Sequence, residues 1–232
     1  MKKVAIIAAM HGDEVYGIEL YEKFIQRLPE LKNYIQLIIG NEGAYNQQTR
    51  YVDTDMNRQY QTDGDSHESS EIKRVDRLIN VFNPDYIIDI HTTRRDSGVF
   101  FISDTVNTKR QRIYDMLDID VCIMHDRVIK QSLIGNYTSA VSLEYSLTSI
   151  SDTTTTAFIN SLKNLIIGQN SRIHNQRLYK VSQLITSEEW KKYSKLANYE
   201  VKSEGMALMV PRDASEMDAE YFGFWCEKSL RS

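Results

Sequence analysis

The sequence predicts an α/β fold with a mostly parallel or mixed sheet, flanked by helices and followed by a small β-rich cap. Two patterns predict this fold. Residues 4–9 form a continuous apolar run, which is typical of a strand buried on both faces. Further short apolar runs alternate with segments of helical periodicity, and this alternation favours crossover units around a parallel sheet.

The first elements can be followed in order. Residues 14–28 carry apolar side chains at helical spacing, and residues 34–39 form the next predicted strand. Residues 41–64 are polar and unusually long for a connection in a compact domain. They are therefore a candidate functional loop.

A helix is predicted after this loop, because Asp65 and Glu68 have the spacing of a capping box. The other predicted strands are residues 86–90, 99–103, 121–124 and 140–143, and the other predicted helices are residues 109–117 and 153–167.

The pattern changes near Leu178, where short alternating strands surround Gly205 and Gly223 and a brief helical patch lies near Trp190. We therefore expect a main domain over residues 1–175 and a small β-rich C-terminal subdomain over residues 176–232.

Composition limits the possible partners. The net charge of −4 gives no reason to expect nucleic acid or an anionic membrane. No apolar stretch approaches the ~20 residues that cross a bilayer. Cys122 and Cys226 are far apart, which favours a reducing, cytoplasmic location. The sequence leaves the oligomeric state open.

Histidines follow three of the predicted strands, at the edge where sites form in open α/β sheets. His11 and Glu14 are three residues apart, and one distant ligand would complete a zinc site open to water. His91 is the best third ligand, and Asp89 could orient a ligand. The alternative is that His11 and Glu14 only begin a helix.

The remaining histidines are weaker candidates. His125 follows a strand, and we expect a structural or rim role for it. His67 lies in a polar helix start and is expected to be solvated, and His174 lies in a polar linker.

Two further features suggest a substrate site. Arg50, Asn57 and Arg58 lie in the candidate functional loop, and guanidinium groups bind carboxylates through paired hydrogen bonds. The alternative is a solvated loop whose aspartates neutralise the arginines. Glu144 closes an apolar strand, where it is a candidate general base or an ordinary acid at the sheet edge.

Four segments together resemble one family. The sequence is similar to the succinylglutamate desuccinylase and aspartoacylase family, relatives of the zinc carboxypeptidases. The similarity rests on HGDE at 11–14, RYVD at 50–53, DMNR at 55–58 and DIHTT at 89–93, and includes Glu71. The resemblance implies a carboxypeptidase-like fold, with residues 1–175 as the zinc-hydrolase domain.

The resemblance also implies roles for single residues. His11, Glu14 and His91 would bind one zinc ion per chain. Arg50 would stabilise the oxyanion, and Glu144 would be the general base and then the general acid.

The implied substrate is a small N-acyl amino acid, which would be cleaved to a carboxylic acid and a free amino acid. Asn57 and Arg58 would bind its α-carboxylate, and Tyr221 would be a further substrate-binding residue. Residues 145–148 lack the glycine- and proline-bearing stretch of aspartoacylases. The sequence therefore does not identify the acyl group of the substrate. The alternatives are a zinc carboxypeptidase acting on peptide C-termini and a zinc-binding protein that has lost catalysis.

Overall fold

A computed structural model of the chain describes residues 1–93, 98–117, 119–123, 127–169, 178–186, 188, 192, 201–202, 205–209 and 223–229. The strands are β1 (Val4–Ala8), β2 (Ile35–Ile39), β3 (Tyr86–Thr93), β4 (Val99–Ser103), β5 (Asp120–Ile123), β6 (Ala140–Ser146), β7 (Leu178–Ile185), β8 (Val201–Lys202), β9 (Gly205–Met209) and β10 (Gly223–Ser229). The α-helices are α1 (Tyr16–Arg27), α2 (Glu42–Gln47), α3 (His67–Phe82), α4 (Thr108–Leu117), α5 (Arg127–Lys130), α6 (Leu133–Asn136) and α7 (Asp152–Ile167). Among these helices, none has the length and apolar character needed to cross a membrane.

Within the described residues, the strands form one sheet in the order β2-β1-β3-β6-β4-β5-β7-β10-β9-β8. The neighbours β2, β1, β3 and β6 are parallel, and so are β4, β5 and β7. Strand β4 runs antiparallel to β6, and the last four strands of the sheet are antiparallel to one another. The predicted α/β fold with a mostly parallel, mixed sheet is confirmed.

Helices cover both faces of the sheet. Helices α1, α4 and α7 pack on one face, through side chains such as Phe24, Tyr114 and Phe158. Helices α3 and α6 pack on the other face, through Val75 and Leu133 among others. Since side chains alternate along a strand, both cores contain residues of β1, β2, β3, β4 and β6.

Two strands extend further than the sequence predicts. β3 continues to Thr93 and β6 to Ser146, because the two strands stay paired over this stretch and Tyr145 also pairs with Val99 of β4. His91 and Glu144 therefore lie within strands rather than after them. They are register partners, and partners in adjacent strands project their side chains to the same face.

The C-terminal strands continue the central sheet. β7 pairs in parallel with β5, and β10 and β9 follow it outwards. Trp225 and Cys226 on β10 are buried. The predicted helical patch near Trp190 lies outside the described residues, and a separate subdomain over residues 176–232 stays a prediction.

Candidate metal centre

The candidate metal ligands of the sequence come together at one end of the parallel strands. His11 and Glu14 lie in the turn after β1, and His91 lies near the end of β3. All three are buried, and one potential ligand atom from each lies within 4.8 Å of the others. The Glu14 carboxylate lies between the rings, 2.8 Å from His11 Nδ1 and 2.9 Å from His91 Nδ1.

A glycine allows the turn that carries His11 and Glu14. The Gly12 N–H donates to the Arg50 carbonyl at 3.1 Å. A Cβ atom on Gly12 would lie 2.2 Å from the Ala44 carbonyl carbon, in the backbone of α2. Only glycine lets the two backbones approach this closely, so this contact fixes the turn against α2.

A carboxylate holds each histidine ring on the side away from Glu14. His11 Nε2 lies 3.2 Å from Asp55 Oδ1, and His91 Nε2 lies 2.9 Å from Asp89 Oδ2. A proton on each Nε2 would be donated to these aspartates, which leaves each Nδ1 lone pair directed at the centre. Carboxylates commonly orient metal-binding histidines in this way.

The charges in the centre are strongly coupled. Burial acts to lower the pKa of His91, but the carboxylates of Asp89 and Glu14 outweigh it and raise that pKa well above its ordinary value. Burial acts to raise the pKa of Glu14, but His11 and His91 bring it well below its ordinary value. Glu14 is therefore ionised, as a carboxylate ligand must be, and a metal ion at the centre would displace the proton from Nδ1 of His91.

This donor set fits a zinc ion. Two imidazole nitrogens and a carboxylate are a ligand set of catalytic zinc sites, where each ligand atom lies ~2.1 Å from the metal. Ligand atoms within 4.8 Å of one another can meet that requirement after small movements. Orientation of both rings by Asp55 and Asp89 adds a second, independent feature of such sites.

The segment 50–58 borders the centre. Arg50 Nη1 donates to Glu14 Oε1 at 3.1 Å, and its Nη2 lies 3.9 Å from Asp55 Oδ2. The Asn57 side-chain nitrogen lies 3.3 Å from His91 Nε2. Arg58 donates to the Asn57 carbonyl at 2.9 Å. The loop is therefore part of the centre rather than a solvated connection.

The predicted capping box of α3 is wrong. The N-cap is Ser66, whose hydroxyl accepts from the Ser69 N–H. Glu68 is fully buried and instead accepts hydrogen bonds from the backbone of residues 52–54. The spacing of Glu68 after Asp65 predicted a hydrogen bond within the helix start. The loop instead offers Glu68 several backbone N–H donors.

Glu144 lies on β6 directly beside His91 of β3. Its side chain is partly accessible, and Ser142 Oγ lies 3.4 Å from Glu144 Oε1. Burial is the main cause that raises the pKa of Glu144 above its ordinary value. A carboxylate with a raised pKa is better suited to accept a proton from water.

The other predicted residues have different outcomes. His67 is not fully solvated as expected: it is half-buried, lies against Gly43 and is 3.4 Å from Glu71 Oε1. Tyr221, His125 and His174 lie outside the described residues.

Sequence reasoning missed Asp55 and Glu68. The sequence predicts no contact of Asp55 with the metal centre, whereas its carboxylate contacts His11 and caps the turn Met56–Arg58. Its N-terminal position before that turn was a usable signal, since aspartate is a favoured N-cap.

Comparison with known proteins places this geometry in a family. The model of the succinylglutamate desuccinylase/aspartoacylase catalytic domain matches residues 1–159. A probable aspartoacylase of Prochlorococcus marinus (strain MIT 9301) is 31% identical over 114 residues, which are 44% of this chain and 38% of that protein. The aspartoacylase of Xenopus tropicalis is 29% identical over 117 residues, 44% of this chain and 37% of that protein. The matched stretch thus spans less than two fifths of either relative's length.

Solved structures resemble the fold over nearly the whole chain. Succinylglutamate desuccinylase from Chromobacterium violaceum aligns with a TM-score of 0.73 and 15% identity, over 99% of this chain and 85% of that one. Murine aminoacylase 3 aligns with a TM-score of 0.67 and 15% identity, over 98% and 95% of the two chains. Since the family model covers more than half of the sequence, this chain belongs to the succinylglutamate desuccinylase/aspartoacylase catalytic domain family.

Proposed function

We propose that this protein is a zinc-dependent amidohydrolase that cleaves an N-acyl amino acid to a carboxylic acid and a free amino acid. The observation that carries the proposal is the buried cluster of His11, Glu14 and His91, with Arg50 in contact with it and Glu144 beside it. The names of the relatives, aspartoacylase, succinylglutamate desuccinylase and aminoacylase, support the same reaction class for this chain.

His11, Glu14 and His91 would hold the metal. Zinc, when bound, supplies Lewis acidity that polarises an amide carbonyl and acidifies a water molecule. Glu144 accepts the proton of the attacking water and then donates it to the leaving amine. Arg50 donates hydrogen bonds to the oxygen that gains negative charge, a contribution often worth ~3 kcal/mol per donor.

The substrate's α-carboxylate would be bound by Arg58 with help from Asn57. Both residues lie on the turn Met56–Arg58, and Asn57 contacts the ring of His91. A carboxylate bound there would be adjacent to the amide under attack. Tyr221 is proposed as a further substrate contact, and a cytoplasmic location stays a prediction.

The test is a substrate screen with zinc-loaded protein. N-acetyl and N-succinyl amino acids, their α-amides and short peptides are compared by kcat/KM. We expect the N-acyl amino acids with a free α-carboxylate to be cleaved. Exchange of that carboxylate for an amide should lower kcat/KM by ~100-fold or more, because it leaves a guanidinium without its anion.

Two results would contradict the proposal. Cleavage of peptides but not of N-acyl amino acids would make the protein a carboxypeptidase. Zinc binding without turnover of either class would leave a binding protein that has lost catalysis.

A further inference from the structure

Glu68 is a fully buried carboxylate that is neither a proposed metal ligand nor a proposed substrate contact. It lies in the first turn of α3. Its Oε1 accepts from the Val52 N–H at 2.8 Å and from the Asn41 side-chain nitrogen at 3.1 Å. The Asp53 N–H lies 3.2 Å from the same oxygen, and the Thr54 N–H lies 3.2 Å from Oε2.

Three consecutive backbone N–H groups therefore converge on one side chain. Such an arrangement is a small anion-binding concavity, here filled by a carboxylate of the same chain. Burial of a charged group is costly unless hydrogen bonds compensate it. The loop and Glu68 thus depend on each other, since each satisfies polar groups that the other would leave unpaired.

Residues 52–54, whose N–H groups bind Glu68, lie between two loop residues that contact the metal centre. Arg50, which contacts Glu14, precedes this segment by two residues, and Asp55, which contacts His11, follows it directly. Asn41 links Glu68 to helix α2, because its side chain also accepts the Ala44 N–H and caps that helix. The turn at Gly12 packs against the same helix.

We propose that Glu68 is a positioning residue that fixes the loop 50–58 so that both ends face the metal centre. Its consequence for substrate selection rests on the proposed function, because Arg58 would select the α-carboxylate from this loop. The effect on the loop itself needs no substrate.

Glu71 offers a matched control. It is also buried on α3, but its carboxylate contacts Arg74 at 2.6 Å and His67 at 3.4 Å. Glu71→Gln therefore removes a buried charge from the same helix without removing an acceptor of the loop N–H groups.

The first measurement is hydrogen exchange of the backbone amides of residues 52–54, with wild type, Glu68→Gln and Glu71→Gln compared. In Glu68→Gln an amide group replaces one acceptor oxygen, so exchange should accelerate on the order of 10-fold or more. Glu71→Gln should exchange at these amides like the wild type. Equal rates in Glu68→Gln and the wild type would overturn the proposal.

The second measurement is the ratio of kcat/KM for a cleaved N-acyl amino acid to that for its α-amide. Glu68→Gln should reduce this preference on the order of 10-fold, since Arg58 is no longer held in place. Glu71→Gln should keep the preference even if its stability falls. An unchanged preference in Glu68→Gln with faster exchange would also overturn the proposal, since Glu68 would then be structural only.

Two provisions keep the test decisive. If Glu68→Gln does not fold, Glu68→Asp replaces it, because it keeps the charge but is too short to reach all its donors. Faster exchange at residues 52–54 is then the supporting result and unchanged exchange the contrary one. Lack of turnover in the wild type would count against the proposed function, while the exchange result still decides the role of Glu68 in the loop.

Discussion

Five side chains at the centre form a continuous chain of contacts that begins at Asp55 and ends at Asp89. Asp55 contacts His11, His11 and His91 both contact Glu14, and Asp89 contacts His91. In each histidine ring, Nε2 therefore contacts an aspartate and Nδ1 contacts Glu14. Glu144 lies beside these residues on β6, where its Oε1 is 3.4 Å from Ser142 Oγ.

A substitution at Glu144 separates chemistry from metal binding. Glu144→Gln keeps the shape of the side chain but removes the proton acceptor, so kcat should fall by at least ~100-fold. Zinc content should stay near that of the wild type, because the proposed ligands are unchanged. Rates on an N-acyl amino acid and metal analysis of the same sample check both statements. Near-normal turnover would move the general base to another residue.

At the scale of elements, the turn after β1 and helix α2 are in direct backbone contact at Gly12. The turn carries two proposed ligands, and α2 is capped by Asn41, which is bonded to Glu68. Displacement of α2 would therefore change the positions of His11 and Glu14.

Gly12→Ala tests this contact. The added Cβ would meet backbone atoms at 2.2 Å, so the turn must move. We expect a loss of ~1–3 kcal/mol or more in the free energy of unfolding, together with weaker zinc binding. Gly64→Ala is the control, since its nearest neighbour is the Ser69 hydroxyl at 3.1 Å, which can rotate. Zinc affinity equal in Gly12→Ala and Gly64→Ala would contradict this account.

The sequence predicted the elements better than their ends and contacts. The apolar run of β1 and the helical spacing of α1 are local patterns, and both elements are present. The extension of β3 and β6 depends on pairing between distant strands, which a single sequence does not display. Helix α2 was not predicted, because its segment is polar and its Asn41 cap looked like part of a loop.

The candidate site shows the same division. The three candidate ligands were predictable because His11 and Glu14 are close in sequence and His91 follows a buried run. The contacts of Glu68 were not predictable, because its backbone donors are 14–16 residues away and the sequence does not reveal the direction of those N–H groups.

At the scale of the whole molecule, the sheet joins the N-terminal and C-terminal parts of the chain. β7 covers the edge of β5, and Tyr179 of β7 and Cys226 of β10 belong to a buried cluster. Removal of the C-terminal part would expose a strand edge and part of the core.

A chain that ends at residue 175 should therefore be less stable than the full chain. Loss of a buried aromatic side chain alone costs ~3–5 kcal/mol, and 1 kcal/mol corresponds to ~2–4 °C at this size, so Tm should fall by ~10 °C or more. Thermal unfolding and light scattering of both chains check this. A monodisperse fragment with the Tm of the full chain would instead show that residues 1–175 fold independently.

The central claim is that His11, Glu14 and His91 hold a catalytic zinc ion, and metal content measured together with turnover tests it most directly. The wild type should contain about one zinc ion per chain and cleave an N-acyl amino acid. His91→Ala should lose both, whereas His67→Ala, which changes a half-buried histidine paired with Glu71, should keep both. Full zinc occupancy and turnover in His91→Ala would contradict the account.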